Sequence, residues 1–488
     1  MSLSMSLSTT IIWIALPFFA GFLIYLLPQL DRALALVGAL ASIAYAMLIL
    51  TGYNTLGQLS TEPLTLRLLD HFGVTLVIDE LSGYFILTNA LVTLAVVVYC
   101  WNSGRTAFFY AQMLMMHGSV NAAFACADFI SLYVALEVSG IAAFLLIAHP
   151  RTDRSIWVGL RYLFISNTAM LFYLIGAVLV YKATLSFSFA GLGAAPPEAF
   201  ALIFMGLLVK GGVFVSGLWL PLTHSEAETP VSAMLSGVVV KAGVYPLLRC
   251  ALMVESVDPV VRIFGVATTL LGVFYAVFEK DTKRTLALST ISQLGWVLAA
   301  PAVGGFYALA HGLGKAAMFL AAGTLPSRDF KELQQQPINS GLWIVFVMAG
   351  LSISGLPLLA GFGAKMSTLE HLLPFQTIAM NLAAVGTAIV YAKFIALPHE
   401  KQGNLNSGFL GAVAVLIAGL LIANLGYLQA YTLANIVKAV AIIGAGWLVY
   451  FLLARRTAFR LPRMLEQFEH LVGMMSVMAI LLFWMVLA

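Results

Sequence analysis

Apolar runs of about 20 residues follow one another along nearly the whole chain, beginning with "IIWIALPFFAGFLIYLLP". That is the length an α-helix needs to cross the hydrocarbon core of a bilayer. The runs do not alternate polar and apolar residues, which favours spanning helices over a barrel. Only 9% of the 488 residues are charged, against about 25% in an ordinary soluble domain. A chain so poor in charge cannot cover a water-facing surface, so it is expected to be an all-α integral membrane protein. The first run is long and lacks a basic leader, so no cleavable signal is expected. Cys100, Cys126 and Cys250 form no CxxC pair and suggest neither a metal cluster nor a disulfide framework. No cofactor and no nucleic-acid partner are expected.

About sixteen apolar segments can be counted, two of them interrupted by Pro and Gly near residues 215 and 355, giving 14–16 expected spans. With the N-terminus outside, 14 basic residues, among them Arg105, Lys283, Arg284, Arg456 and Arg460, fall in inner loops. The outer loops hold 4: Arg67, Lys182, Arg249 and Arg262. The positive-inside rule supports this orientation, and an even number of spans leaves both termini outside.

The other 7 basic residues, Arg161, Lys210, Lys241, Lys315, Lys365, Lys393 and Lys438, lie inside spans. Glu137, in "SLYVALEVSGIAAF", is the carboxylate clearly at mid-span. A charge at the centre of a lone helix costs roughly 2.5–3.5 kcal/mol on insertion scales. Several together require partners, a hydrated cavity, or both. Lys438 and Arg161 suit the alternative of snorkelling to the headgroups; Lys210, Lys241 and Glu137 lie too deep for it.

The two interrupted segments are the seventh and twelfth. "VFVSGLWLPLTHSEAETP" carries Gly217 and Pro221, and "LSISGLPLLAGFGAK" carries Gly355, Pro357, Gly361 and Gly363. Paired broken helices point to a transporter's site, because freed backbone must line a cavity. An offset of five helices requires the second copy to lie upside down, so an inverted repeat is expected; two coincidental proline kinks are the alternative. The match is imperfect, since Lys210 precedes its break and Lys365 follows its own. The tenth span offers Ser289, Ser292 and Gln293 where the fifth has Glu137. The eleventh compensates with His311 and Lys315, four apart on one helical face.

A buried ammonium and a nearby carboxylate trade a proton according to their separation. A row of lysines and histidines at mid-depth is therefore a switchable proton wire, and histidine suits it because it titrates near neutrality. His311 and His224 are the candidates. Glu226 and Glu228 beside His224 suggest a wet, proton-accessible spot, with a solvated loop as the alternative. "HGLGKAAM" is no phosphate loop: its first glycine is missing, and Ala316 stands where Ser or Thr would hold magnesium. No catalytic site is recognised in the chain.

The ordered motifs "KGGVFVSGLWLPLTHSEAETPVSAMLSGVVVKAGVYPLLR", "KDTKRTLALSTISQLG", "HGLGKAAMFLAAG" and "GLPLLAGFGAK" resemble the antiporter-like subunits of respiratory complex I. The family they resemble also includes the D-type subunit of Mrp sodium/proton antiporters and membrane subunits of energy-converting hydrogenases. The resemblance runs over about residues 75 to 400. It implies N-terminal spans in 1–104, a first five-helix unit in 105–254, a second, inverted unit in 255–400, and C-terminal helices in 401–488. It also implies that Glu137 and Lys210 pair in the first half-channel. Lys241, His311 and Lys315 would continue along a central axis, and Lys365 would be the terminal lysine. His224 and Lys393 complete the expected proton-translocating set. The last two spans, joined by "ARRTAFRLPRMLEQFEH", exceed the usual fourteen.

The expected function is thus proton translocation within a larger complex of an energy-transducing membrane, either Mrp-type or NADH-dehydrogenase-like. Its partners would be other membrane subunits, lipid, protons and, for the Mrp type, sodium. A structural spacer with a degenerate channel and a self-sufficient secondary transporter are the alternatives.

Overall fold

The computed structural model describes residues 2–52, 63–69, 73–401, 403–453, 455 and 462–487. Arg456 and Arg460, assigned above to an inner loop, lie outside the described residues. All sixteen apolar segments are helical. The chain opens with α1 (Ser2–Leu26) and α2 (Asp31–Leu50), then a hairpin of β1 (Leu64–Leu69) and antiparallel β2 (Gly73–Ile78), with Leu66 opposite Leu76. Next come α3 (Glu80–Cys100), α4 (Ala107–Ala125), α5 (Phe129–Ile147) and α6 (Asp153–Thr184). The seventh segment divides into α7 (Pro197–Lys210) and α8 (Leu220–Glu226), and the eighth into α9 (Thr229–Met234) and α10 (Val240–Met253). There follow α11 (Asp258–Phe278), α12 (Thr282–Ala299), α13 (Gly304–Ala322) and the short α14 (Phe330–Leu333). The twelfth segment divides into α15 (Ser340–Ser354) and α16 (Ala360–Glu370). The last four are α17 (Pro374–Ile395), α18 (Ser407–Leu425), α19 (Leu433–Leu452) and α20 (Phe468–Leu487).

Local chemistry sets several of these starts. Asp79, Asp128 and Asp281 cap α3, α5 and α12 by accepting from the backbone N–H three residues on, and Thr152 with Ser155 forms a capping box on α6. Asp128 also accepts from the Thr75 N–H at 2.7 Å, fastening the hairpin to α5.

By length and apolar character, 12 of the described helices can cross a membrane, or up to 13 if the pair 282–299 and 301–322, bent by 108°, is one span. That is fewer than the expected 14–16, for a physical reason. Helix α4 buries Gln112, His117, Ser119 and Asn121, α15 has only 15 residues, and α12 and α13 carry much of the polar interior. These polar or short helices sit among others, while α1, α2, α19 and α20 turn most of their surface outward. Arg249 is not in an outer loop: it is buried in α10 and paired with Asp79.

Candidate functional site

The seventh segment breaks just after Lys210, earlier than Gly217 and Pro221 suggested. Helix α7 ends at Lys210, Gly212 takes φ +65°, and a 3-10 turn, Phe214–Trp219, leads into α8. Only glycine adopts such a φ without cost. In the twelfth segment the break is 355–359, with Gly355 at φ +90°. Gly361 and Gly363 lie inside α16. Gly361 permits close approach there, since a Cβ would stand 1.9 Å from the Ser352 carbonyl oxygen.

Lys210 is buried, and its Nζ donates to Ser166 Oγ at 2.7 Å. Gly140, three residues after Glu137, leaves room for the ammonium: a Cβ there would meet Lys210 Nζ at 2.7 Å. No ion pair joins Glu137 to Lys210 among the described residues, although Glu137 acts on Lys210 electrostatically. Glu137 lines a cavity of about 690 Å³ between α5, α6 and the start of α20. With its amide suitably oriented, Asn167 donates to Glu137 Oε2 at 3.3 Å, leaving Oε1 without a partner. Ser166 and Asn167 were not singled out by sequence; three consecutive polar residues, Ser166, Asn167 and Thr168, inside the apolar run "LFISNTAML" are the signal that could have found them.

The next lysines share one device. Just before α10 the chain makes a π turn, Leu235–Val239, and Lys241 Nζ donates to the carbonyls of Ser236 and Gly237 at 3.2 and 2.6 Å. A π turn loosens the i→i−4 ladder, and such turns recur at functional sites. Lys315 donates to the Leu286 carbonyl at 2.8 Å and to Ser289 Oγ, with its ammonium 5.5 Å from the Tyr391 ring centroid. Lys365 donates to the carbonyls of Ile353 and Ser354, the end of α15, at 3.0 and 3.5 Å, and sits over the Trp296 ring. Lys393 stands at the end of α11, on the carbonyls of Ala276, Val277 and Glu279. Lys241, Lys365 and Lys393 thus rest against carbonyl oxygens at the end of a helix or in a broken turn, where the backbone presents its negative end, whereas the carbonyl that meets Lys315 lies in the second turn of α12.

The histidines differ from one another. His311 is buried within electrostatic reach of Lys241 and Lys315, and neither ring nitrogen has a partner among the described residues. His224 is not on a wet loop. It is fully buried at the end of α8, stacked on Phe319 at 5.1 Å, and its two nitrogens also have no partner among the described residues. The neighbouring acids are half-buried and paired: Glu226 with Arg154, and Glu228 with Arg105 and His149. Ser289 does meet Lys315, whereas Gln293 accepts from Tyr307 Oη at 2.6 Å and Ser292 Oγ has no partner. Lys438 lies exposed near the start of α19, as a snorkelling lysine should. Arg161 is buried instead and is held by the Glu466 carbonyl. His117, which the sequence reading passed over, is buried in α4 among Thr93, Ser42 and Asn121.

Fold and site together define an integral membrane protein built around cations seated at helix irregularities. Residues 126–390 match the family described as NADH:quinone oxidoreductase/Mrp antiporter, TM, and the chain belongs to that family. The N-type subunit of the NADH-quinone oxidoreductase of Desulforudis audaxviator is 34% identical over 332 residues, covering 60% of this chain and 66% of its own. The D-type subunit of the Na(+)/H(+) antiporter of Alkalihalophilus pseudofirmus is 26% identical over 384 residues, covering 70% of this chain and 77% of its own. Among solved structures, a chain of the archaeal membrane-bound sulfane sulfur reductase matches with TM-score 0.75 at 21% identity, covering 90% of this chain and 98% of that one. A chain of the Mrp complex from Dietzia matches with TM-score 0.74 at 19% identity, covering 96% and 100%. These two likenesses show the fold.

Proposed function

We propose that this chain carries protons across an energy-transducing membrane as the antiporter-like subunit of a multisubunit complex, of the Mrp or the NADH-quinone oxidoreductase kind. One observation carries the reading. Lys241, Lys315 and Lys365 are buried, and among the described residues each ammonium meets backbone carbonyls, joined at Lys315 by a hydroxyl and an aromatic face and at Lys365 by an aromatic face. A carboxylate partner would lock each charge in place. A carbonyl accepts a hydrogen bond from a neutral amine as well as from an ammonium, so a proton can leave without stranding a buried counter-charge.

In this reading Glu137 sets the proton affinity of Lys210 through space, and Ser166 holds the ammonium in position. The route continues through Lys241, His311 and Lys315, with His224 alongside, to Lys365 and Lys393. The free nitrogens of both histidines suit a relay, because a buried polar atom without a protein partner calls for one. The broken pairs α7/α8 and α15/α16 are read as equivalent parts of two inverted units, 105–254 and 255–400, with both termini on the outer side. Relatives of both kinds support the complex; the identity of the neighbouring genes would separate them, since Mrp-type and redox partners are encoded by different genes. The reading is tested by proton flux per reconstituted complex. Glu137→Gln should assemble and cut flux by about tenfold or more; flux at the wild-type level would remove it.

A further inference from the structure

The family match ends at residue 390, yet the chain's last described segment packs back against the first of the broken helices. Helix α20 packs against α7, against α6 and against the 3-10 turn that follows Lys210. Just before it, Glu466 is buried. Arg284 on α12 donates to both of its carboxylate oxygens, at 2.5 and 2.7 Å, and Arg161 on α6 donates to its carbonyl. The Arg284 and Glu466 side chains are 5% and 9% exposed, so water solvates neither charge well and each depends on the other. Arg284 also pairs with Glu279 at 3.0 Å, and Glu279 with Arg463 at 3.1 Å. Lys393 donates to the Glu279 carbonyl. A hydrogen-bonded chain thus runs from Arg161 through Glu466, Arg284 and Glu279 to Lys393.

Its first member reaches the other site. Arg161 lines the cavity that holds Glu137, and its Nε has no partner among the described residues. The α6 residues of that cavity run from Trp157 to Leu171, about 21 Å at the helical rise. The cavity therefore extends from the start of α6 to mid-depth, with Glu469 of α20 also in its wall.

We propose that Glu466 is a positioning residue for the Glu137 site. It neutralises Arg284, seats Arg161 in the wall of the Glu137 cavity, and joins that cavity to the Glu279–Lys393 end of the chain. The C-terminal segment is then part of the transport machinery rather than only an anchor. This rests on the reading of Glu137 as a transport group. Around Glu466 the charged or titratable groups among the described residues are Arg161 of α6, Tyr275 of α11, Glu279, Lys280, Asp281 and Arg284 at the start of α12, Arg328 and Asp329 before α14, and Arg463 of its own segment. Around Glu137 they are Lys210, Tyr133, Tyr162, Arg161 and Glu469.

The sign follows from charge. With a neutral group at 466, Arg161 and Arg284 share one negative charge fewer, and the surplus favours the negative form of the carboxylates in the cavity. The pH profile of transport then moves to lower pH. Removing the Arg161 charge moves it the other way.

Proton flux per assembled complex, measured over a pH series with the full chain in its complex, decides the matter. Glu466→Gln should lower the flux and shift the profile down by about one pH unit, and Arg161→Gln should shift it up by a similar amount. Glu466→Asp should keep the wild-type profile. Unmoved profiles in Glu466→Gln and Arg161→Gln, with only the yield of complex reduced, would overturn the inference and leave an anchor. If Glu466→Gln does not assemble, the Arg161→Gln profile decides alone, and no upward shift overturns it. Loss of flux in Glu137→Gln beside unmoved profiles sinks this inference while sparing the transport reading. Wild-type flux in Glu137→Gln sinks both.

Discussion

An ammonium among membrane helices persists only where its three N–H groups find acceptors, and in this chain the acceptors are mostly backbone. Lys241 illustrates the cost of losing one. Its partners, the carbonyls of Ser236 and Gly237, belong to a π turn whose hydrogen bonds are already irregular. Lys241→Ala is expected to assemble but to lose most of its proton flux, while Lys438→Ala, at an exposed site on α19, stays near wild type. Paired flux measurements in the same membranes check this; equal rates would remove Lys241 from the route. Glu279 makes a second prediction, about stability. Burial works to raise its proton affinity, but Arg284, Arg463 and the backbone N–H groups of Asp281 and Lys280 outweigh it, holding the carboxyl below its ordinary 4.5. A folded value below the unfolded one means the stabilisation is complete above the unfolded value and disappears as pH falls through the folded one. In detergent, the Tm of the wild type should therefore drop as pH falls below about 4.5, and Glu279→Gln should flatten that drop while lowering Tm at neutral pH.

The broken helices are the elements on which the lysines depend. The end of α15 presents the carbonyls of Ile353 and Ser354 to Lys365 because the chain turns at Gly355 and α16 returns close beside it. Gly361 lets the two halves touch. Gly361→Ala forces its Cβ into the Ser352 carbonyl, 1.9 Å away, and α16 must move, carrying Lys365 with it. In Gly473→Ala, on α20, the Cβ meets nothing within 4 Å. The first variant should lose Tm and flux together, and the second should lose neither. Thermal unfolding and flux measured on both provide the check, and equal behaviour would show that the approach of α15 and α16 is not tight enough to position Lys365.

For the whole molecule, the excess of basic residues on one set of loops supports the proposal that both termini lie on the outer side. Short tags at residue 2 and after residue 488 should then both be reached by an impermeant label from outside intact cells. Labelling of one tag only would overturn the even count.

The fold class was legible in the sequence because membrane insertion is a local property: about 20 apolar residues in a row suffice, whatever lies elsewhere in the chain. Mid-span Glu137, Lys210, Lys241, Lys315 and Lys365 were legible for the same reason, since a charge in such a run is costly wherever it occurs. The family could be read from motifs that keep their order along the chain. Contacts between distant segments were not legible. Lys210 hydrogen-bonds to Ser166 rather than to Glu137, His224 lies under Phe319 rather than in water, and Glu466 meets Arg284 across 182 residues of chain. A side chain's partner is settled by which helices pack together, and hydropathy carries no record of that packing. Apolarity along the chain therefore determined that this protein lies in the membrane as helices, and only the tertiary structure decided which oxygen each buried cation holds, because that choice is made through space.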